Sequence, residues 1–206
     1  PGTLPGSARE AVAFRRTVPG AVTHTGASAT EARLREALSD GEVVHVASHG
    51  VMNLRNPMFS RIELSGSAGG PADDGRLEVH ELLDLRIQAP FVFLSGCETG
   101  VGAAWSTQFA RGEDYATLAQ AFLYAGARNV MATLWRIEDK GAAAFAERFY
   151  THLAVLPPPE ALAAAQQDLL QTPGYAAPHY WAPYQISGSG DRLLSHTGRS
   201  LSVELK

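Results

Sequence analysis

The chain has 206 residues, of which 45% are apolar and 18% charged, with a mean hydropathy of -0.08; this is the composition of one soluble globular domain or a tight pair, and it excludes disordered, collagen-like and membrane classes. A net charge of -4 and a pI near 6.0 give no basic field for direct nucleic-acid binding. No window reaches the roughly 18 apolar residues of a bilayer span, so no membrane partner is expected. The start, Pro1-Gly2-Thr3-Leu4-Pro5, has neither the basic nor the apolar region of a signal peptide. It also lacks Met, which reads as an excised domain or processed fragment of a longer protein.

In chain order, residues 6–16 read as a short helix and Val22-Thr23-His24 as a short strand. Ser28-x-x-Glu31 and Thr30 offer N-cap chemistry for a helix through Leu38, with Leu34, Ala37 and Leu38 on one face. Val43-Val44-His45-Val46-Ala47 is a β-branched run that stops at Ser48-His49-Gly50, as a central parallel strand stops at its carboxyl end. Arg61 to Leu64 is a short strand candidate, Ser65 to Gly75 a Gly/Ser/Asp loop, and Val79 to Leu85 a short amphipathic helix. Phe91-Val92-Phe93-Leu94 is a second buried strand, ending at Ser95-Gly96-Cys97-Glu98-Thr99-Gly100. A helix from Glu113 to Ala125, with Gly126 as its C′ residue, leads to a third strand, Asn129 to Leu134. Helices follow from Asp139 to Leu153 and, after Pro157-Pro158-Pro159, to Leu170. Tyr184-Gln185-Ile186 is a last clear strand. Residues 187–206 read as a polar C-terminal tail with a weak strand at Leu201-Ser202-Val203. Strands alternating with helices, and 20 Gly with 12 Pro to mark the loops, predict one domain of α/β class: a three-layer α/β/α fold around a mainly parallel sheet.

One cysteine rules out an internal disulfide and a four-cysteine zinc site. It fits a reducing, cytoplasmic compartment and leaves Cys97 two roles, buried filler or reactive group. Position separates them. In open α/β sheets ligands bind beyond the carboxyl ends of the strands, and two strands end there in reactive residues, His49 before Gly50 and Cys97 between Gly96 and Gly100. Cys97 follows His49 by 48 residues, near the spacing of about 50 found in caspase-type enzymes. If the strands are neighbours, about 4.8 Å apart, thiol and imidazole project from one sheet edge. Metal chemistry has no support. His45 and His49 lie four apart on a strand, about 13 Å, too far to share an ion. No phosphate-binding glycine run or serine-hydrolase elbow is present, so no cofactor is expected. Phe145, Phe149 and Tyr150 read as core.

The segments His45-Val46-Ala47-Ser48-His49-Gly50, Phe93 to Gly100, Ala121 to Arg128 and Thr133-Leu134-Trp135 resemble the CHAT domain family, relatives of caspases and separases. The resemblance continues through Arg148-Phe149-Tyr150, Pro158 to Leu162 and His179-Tyr180-Trp181-Ala182. It implies a caspase-like cysteine endopeptidase with a Cys-His dyad, in which Cys97 is the nucleophile and His49 the proton-transfer partner. Backbone N–H groups of Gly50 and Cys97 would hold the oxyanion. The caspase signature Q-A-C-x-G is absent, since Ser95-Gly96 precedes Cys97, so aspartate specificity does not carry over. In the family's relatives the loop after the next strand walls the S1 pocket. Here Trp135 would pack on a basic P1 stem and Glu138 or Asp139 would pair with its charge, although acids at a helix start also serve as caps. The loop Gly100 to Gly112 corresponds to a site of activation cleavage in caspases. The family is typically bacterial and intracellular, and is attached to tetratricopeptide (TPR) or other sensor regions, which implies a regulatory region or partner beside the protein substrate. Two other readings use the same residues: a catalytically silent signalling or scaffold module, and an amidohydrolase or acyl transferase.

Overall fold

The computed structural model describes residues 5–193 and 202–205, apart from residues 19, 42, 54, 67–72, 96–112 and 136. The chain opens with α1 (Pro5–Thr17) and β1 (Val22–Thr25). α2 (Glu31–Asp40) begins where Thr30, in extended backbone, accepts the Arg33 N–H on its side chain. Ser28 instead closes the turn before it, bonding to Thr25. β2 (Val43–Ala47) follows, and then β3 (Gly50–Val51), β4 (Arg61–Glu63) and β5 (Arg76–Glu78) form a separate three-stranded antiparallel sheet. The sequence reading missed β3 and β5 because strands of two or three residues are shorter than any periodicity window.

After α3 (Val79–Leu83) come β6 (Phe91–Ser95), α4 (Glu113–Tyr124) and β7 (Asn129–Thr133). Gly126 ends α4 at φ 124°, and a Cβ there would stand 2.4 Å from the Ile87 carbonyl oxygen; only glycine fits that C′ position. α5 (Asp139–Leu153), α6 (Pro158–Gln171, with proline in its first turn), α7 (Pro178–Trp181) and β8 (Tyr184–Gly188) follow. The segment expected as tail supplies Ser187 and Gly188 to β8 and also β9 (Ser202–Leu205), which lies between β1 and β2 and is parallel to both. Its partners are far away in sequence, so local pattern alone signals it weakly.

The main sheet has the order β1-β9-β2-β6-β7-β8, parallel except for the antiparallel β7–β8 pair. The period-2 alternation of its central strands assigns each residue to a layer. Val44, Val46, Val92 and Leu94 pack beneath α2, α3 and α4. Val43, Ala47, Phe91 and Phe93 pack beneath α1, α5 and α6. The two cores make the three-layer α/β/α architecture that the strand–helix alternation predicts. Burying each large core side chain stabilises the fold by about 1.5–3 kcal/mol before entropy is counted.

Candidate active site

β2 and β6 are neighbours, paired parallel and in register from Val43↔Phe91 to Ala47↔Ser95. Their ends are therefore level. His49 is the second residue beyond Ala47 and Cys97 the second beyond Ser95 in the sequence. Cys97 itself, with Gly96, Gly100 and the loop Gly100 to Gly112, lies outside the described residues.

The turn carrying His49 is fixed from the small sheet. Ser48 is fully buried and its hydroxyl donates to the Glu63 carbonyl, while the Glu63 N–H donates to the His49 carbonyl at 2.8 Å. Gly50 pairs with Ile62 and Val51 with Arg61. Since His49 bonds to β4 through its carbonyl, antiparallel alternation turns the Gly50 N–H to the side away from β4. The half-buried His49 thus follows a clamped backbone, beside a glycine whose N–H the ladder does not consume.

Behind the strand ends lies a buried polar cluster that the sequence reading did not identify. Glu10 of α1 is 4% exposed and His45 of β2 is 0% exposed. The Ser95 hydroxyl donates to Glu10 Oε2 at 2.5 Å. His45 Nε2 lies 3.1 Å from the same oxygen, off the ring N–H axis, so the contact is electrostatic rather than a hydrogen bond. The Tyr150 hydroxyl meets His45 Nδ1 at 2.6 Å. The Ser95 hydroxyl thus serves the carboxylate, and the tautomer of His45 decides which of Nδ1 and the Tyr150 hydroxyl is the donor. Burial, and then the charge of Glu10, push the Tyr150 and Tyr184 hydroxyls well above the ordinary tyrosine range. The signal for Glu10 was its spacing: it stands one turn before Phe14 and two before Val18, an acid on an apolar stripe.

The expected specificity residues have partners of their own. The Trp135 indole N–H donates to the His179 carbonyl at 3.2 Å, and the Leu134 N–H to the Pro183 carbonyl at 2.9 Å, which ties the loop after β7 to α7 and to the residue just before β8. Glu138 is exposed, 3.4 Å from the Lys140 ammonium, and accepts from the Tyr180 hydroxyl at 3.5 Å. Tyr180 and then Glu138 hold Lys140 above the usual lysine range. A basic ligand would have to compete with Lys140 for Glu138. Asp139 is the first residue of α5, and its side chain is outside the described set. His152, which had no usable spacing, pairs with Asp168 across α5 and α6 at 2.7 Å. Among the described residues no group of three or more His, Cys, Asp or Glu could hold a metal ion, and no helix is long and apolar enough to cross a membrane.

The model of a family described as "CHAT domain" matches residues 1–189. Tetratricopeptide repeat protein 28 of Mus musculus is 24% identical over 225 aligned positions, covering 94% of this chain and 9% of that protein. Its Homo sapiens counterpart is 25% identical, with the same two coverages. The chain thus spans about a tenth of the length of these relatives.

Proposed function

The chain belongs to the CHAT domain family, and from that premise we propose that it is a caspase-like cysteine endopeptidase acting on a protein substrate through Cys97 and His49. The observation that carries the reading is the level pairing of Ala47 with Ser95, since counting two residues on along each strand reaches the imidazole and the thiol. A cysteine thiolate is nucleophilic enough that one imidazole suffices and no third carboxylate is required.

In this scheme His49 holds the thiol proton while the Cys97 sulfur attacks the scissile carbonyl carbon. The carbonyl oxygen becomes an oxyanion, held by the N–H of Gly50 and that of Cys97. Collapse breaks the C–N bond, and the leaving amine takes the proton from His49. Water then adds to the thioester, His49 accepting its proton, and the acid product leaves as the thiol is restored. The turn of the Gly50 N–H away from β4 supports its part, because an N–H already bonded within the ladder could not serve. Trp135 would flank the P1 side chain, with Glu138 and Asp139 favouring a basic one. A TPR-type region or partner would regulate the site, in keeping with the names of the relatives.

The test is cleavage of a peptide library by the full chain. Turnover is expected to vanish in both Cys97→Ala and His49→Ala while the fold persists. Turnover that survives in Cys97→Ala sinks the assignment. A wild-type chain inert toward peptides, whose labelling by a peptide-like electrophile ignores His49, marks instead a silent signalling or scaffold module.

A further inference from the structure

A carboxylate has no packing reason to be in the apolar seam between α1 and the sheet. Phe14 and Val18, on the same stripe, show what that seam accommodates. Taking a carboxylate out of water costs several kcal/mol unless directed partners compensate it. The partners of Glu10 are not spread along the helix. Both belong to the two strands that lead to the candidate dyad: Ser95 is the last residue of β6, and His45 is two residues short of the end of β2. One oxygen, Oε2, meets both, at 2.5 Å and 3.1 Å. Tyr150 of α5 fixes the far side of the His45 ring at 2.6 Å, and the Phe93 ring packs on it with centroids 4.5 Å apart. The carboxylate therefore cross-links neighbouring strands at the level where the register Ala47↔Ser95 ends.

We infer that Glu10 is a positioning residue for the Cys97–His49 pair, acting through Ser95 and His45 to keep the ends of β6 and β2 in the alignment that the dyad needs. The inference rests on the dyad reading above. It makes the docking of α1 a condition of reactivity: a chain whose first helix is displaced loses the brace that aligns the two strand ends.

Cys97 is the chain's one cysteine, so alkylation of the full chain by iodoacetamide reports it alone. The pH profile of the labelling rate measures how far the neighbouring imidazole favours the thiolate, which a purely structural role does not touch. Wild type, His49→Ala, Glu10→Ala, Glu10→Gln and Ser95→Ala are compared, with denaturation midpoints taken in parallel. Glu10→Ala is expected to shift the profile toward that of His49→Ala, and a shift of one unit slows labelling at neutral pH by about tenfold. Glu10→Gln, which still accepts from Ser95 but loses the charge facing His45, shifts the profile less than Glu10→Ala. Ser95→Ala shifts it in the same direction by less, and carries the test should Glu10→Ala fail to fold. A profile moved by His49→Ala but left in place by the folded Glu10 and Ser95 variants overturns the positioning role alone. One that His49→Ala itself leaves unmoved overturns the dyad and the positioning role together.

Discussion

The two faces of the central sheet are built from different chemistry. Toward α2, α3 and α4 the strands present Val44, Val46, Val92, Leu94, Val130 and Ala132, and Phe122 is the one aromatic residue of the described core there. Toward α1, α5 and α6 they present Phe91 and Phe93 to Phe14, Phe145, Phe149 and Tyr150, with Glu10, His45 and Ser95 buried among them. Adjacent residues of one strand thus belong to different regimes. Aliphatic packing is non-directional and tolerates volume-conserving exchange, whereas a buried polar cluster is stable only with its partners in one arrangement. The polar face is also the one that reaches the last residue of β6. Mass and shape are supplied on one side of the sheet, and alignment on the other.

The largest effect expected is from Phe93→Ala. Its ring meets His45 at 4.5 Å and lies about 6 Å from those of Phe145, Phe149, Tyr150 and Tyr184, so truncation leaves a cavity beneath the polar cluster and costs about 3–5 kcal/mol in urea denaturation. The control is its neighbour on the aliphatic face. Leu94→Met conserves volume and should cost less than about 1.5 kcal/mol. Similar costs at a volume-conserving exchange on each face, Phe93→Met against Leu94→Met, would erase the distinction. Next in size is Tyr150→Phe, which leaves His45 Nδ1 buried without its 2.6 Å partner and should cost about 1–3 kcal/mol. A neutral result would mean that the cluster does not need its outer member.

The apolar part of both faces is what the sequence makes legible. The runs Val43 to Ala47, Phe91 to Leu94 and Asn129 to Thr133 announce buried parallel strands by composition alone, and α5 occupies the range the pattern gives. The candidate site is proposed from two strand ends, because a His and a Cys just past apolar runs are local features. The neighbouring strands and their level ends were not legible, since register is a long-range property. Nor was the cluster: Glu10, His45, Ser95 and Tyr150 come from four elements, and each looks ordinary in its own segment. Tyr150 read as core, and it is core, yet its hydroxyl is what holds His45. The same limit leaves β9 only a weak local signal at Leu201 to Val203, since its partners β1 and β2 lie more than 150 residues earlier in the chain.

Tyr184→Phe tests the same face with the opposite sign. The Tyr184 hydroxyl is buried and has no hydrogen-bond partner among the described residues, while its ring stacks flat on Phe145. Removing the oxygen keeps the stack and relieves an uncompensated desolvation, so the variant should be neutral or more stable by up to about 1 kcal/mol. Two tyrosines in one aromatic core would then respond oppositely to loss of the same atom, according to whether a partner is present. A destabilised Tyr184→Phe would place that hydroxyl within the polar cluster.

The smallest effect lies outside both faces and gives the baseline for their pH response. His24 sits on the edge strand β1, and burial, then the Arg33 charge, lower its pKa from 6.5, against an opposing pull from Glu36. Because the folded value is the lower one, the unfolded chain takes up the proton first as pH falls. The stability that neutral His24 contributes is therefore complete above about pH 6.5 and lost as pH falls through the folded value. His24→Gln removes that share, so its denaturation midpoint should drop slightly less than wild type between pH 8 and pH 5. Every other titrating group is common to both proteins, so the difference reports His24 alone. Equal drops would mean that His24 titrates alike in the folded and unfolded states.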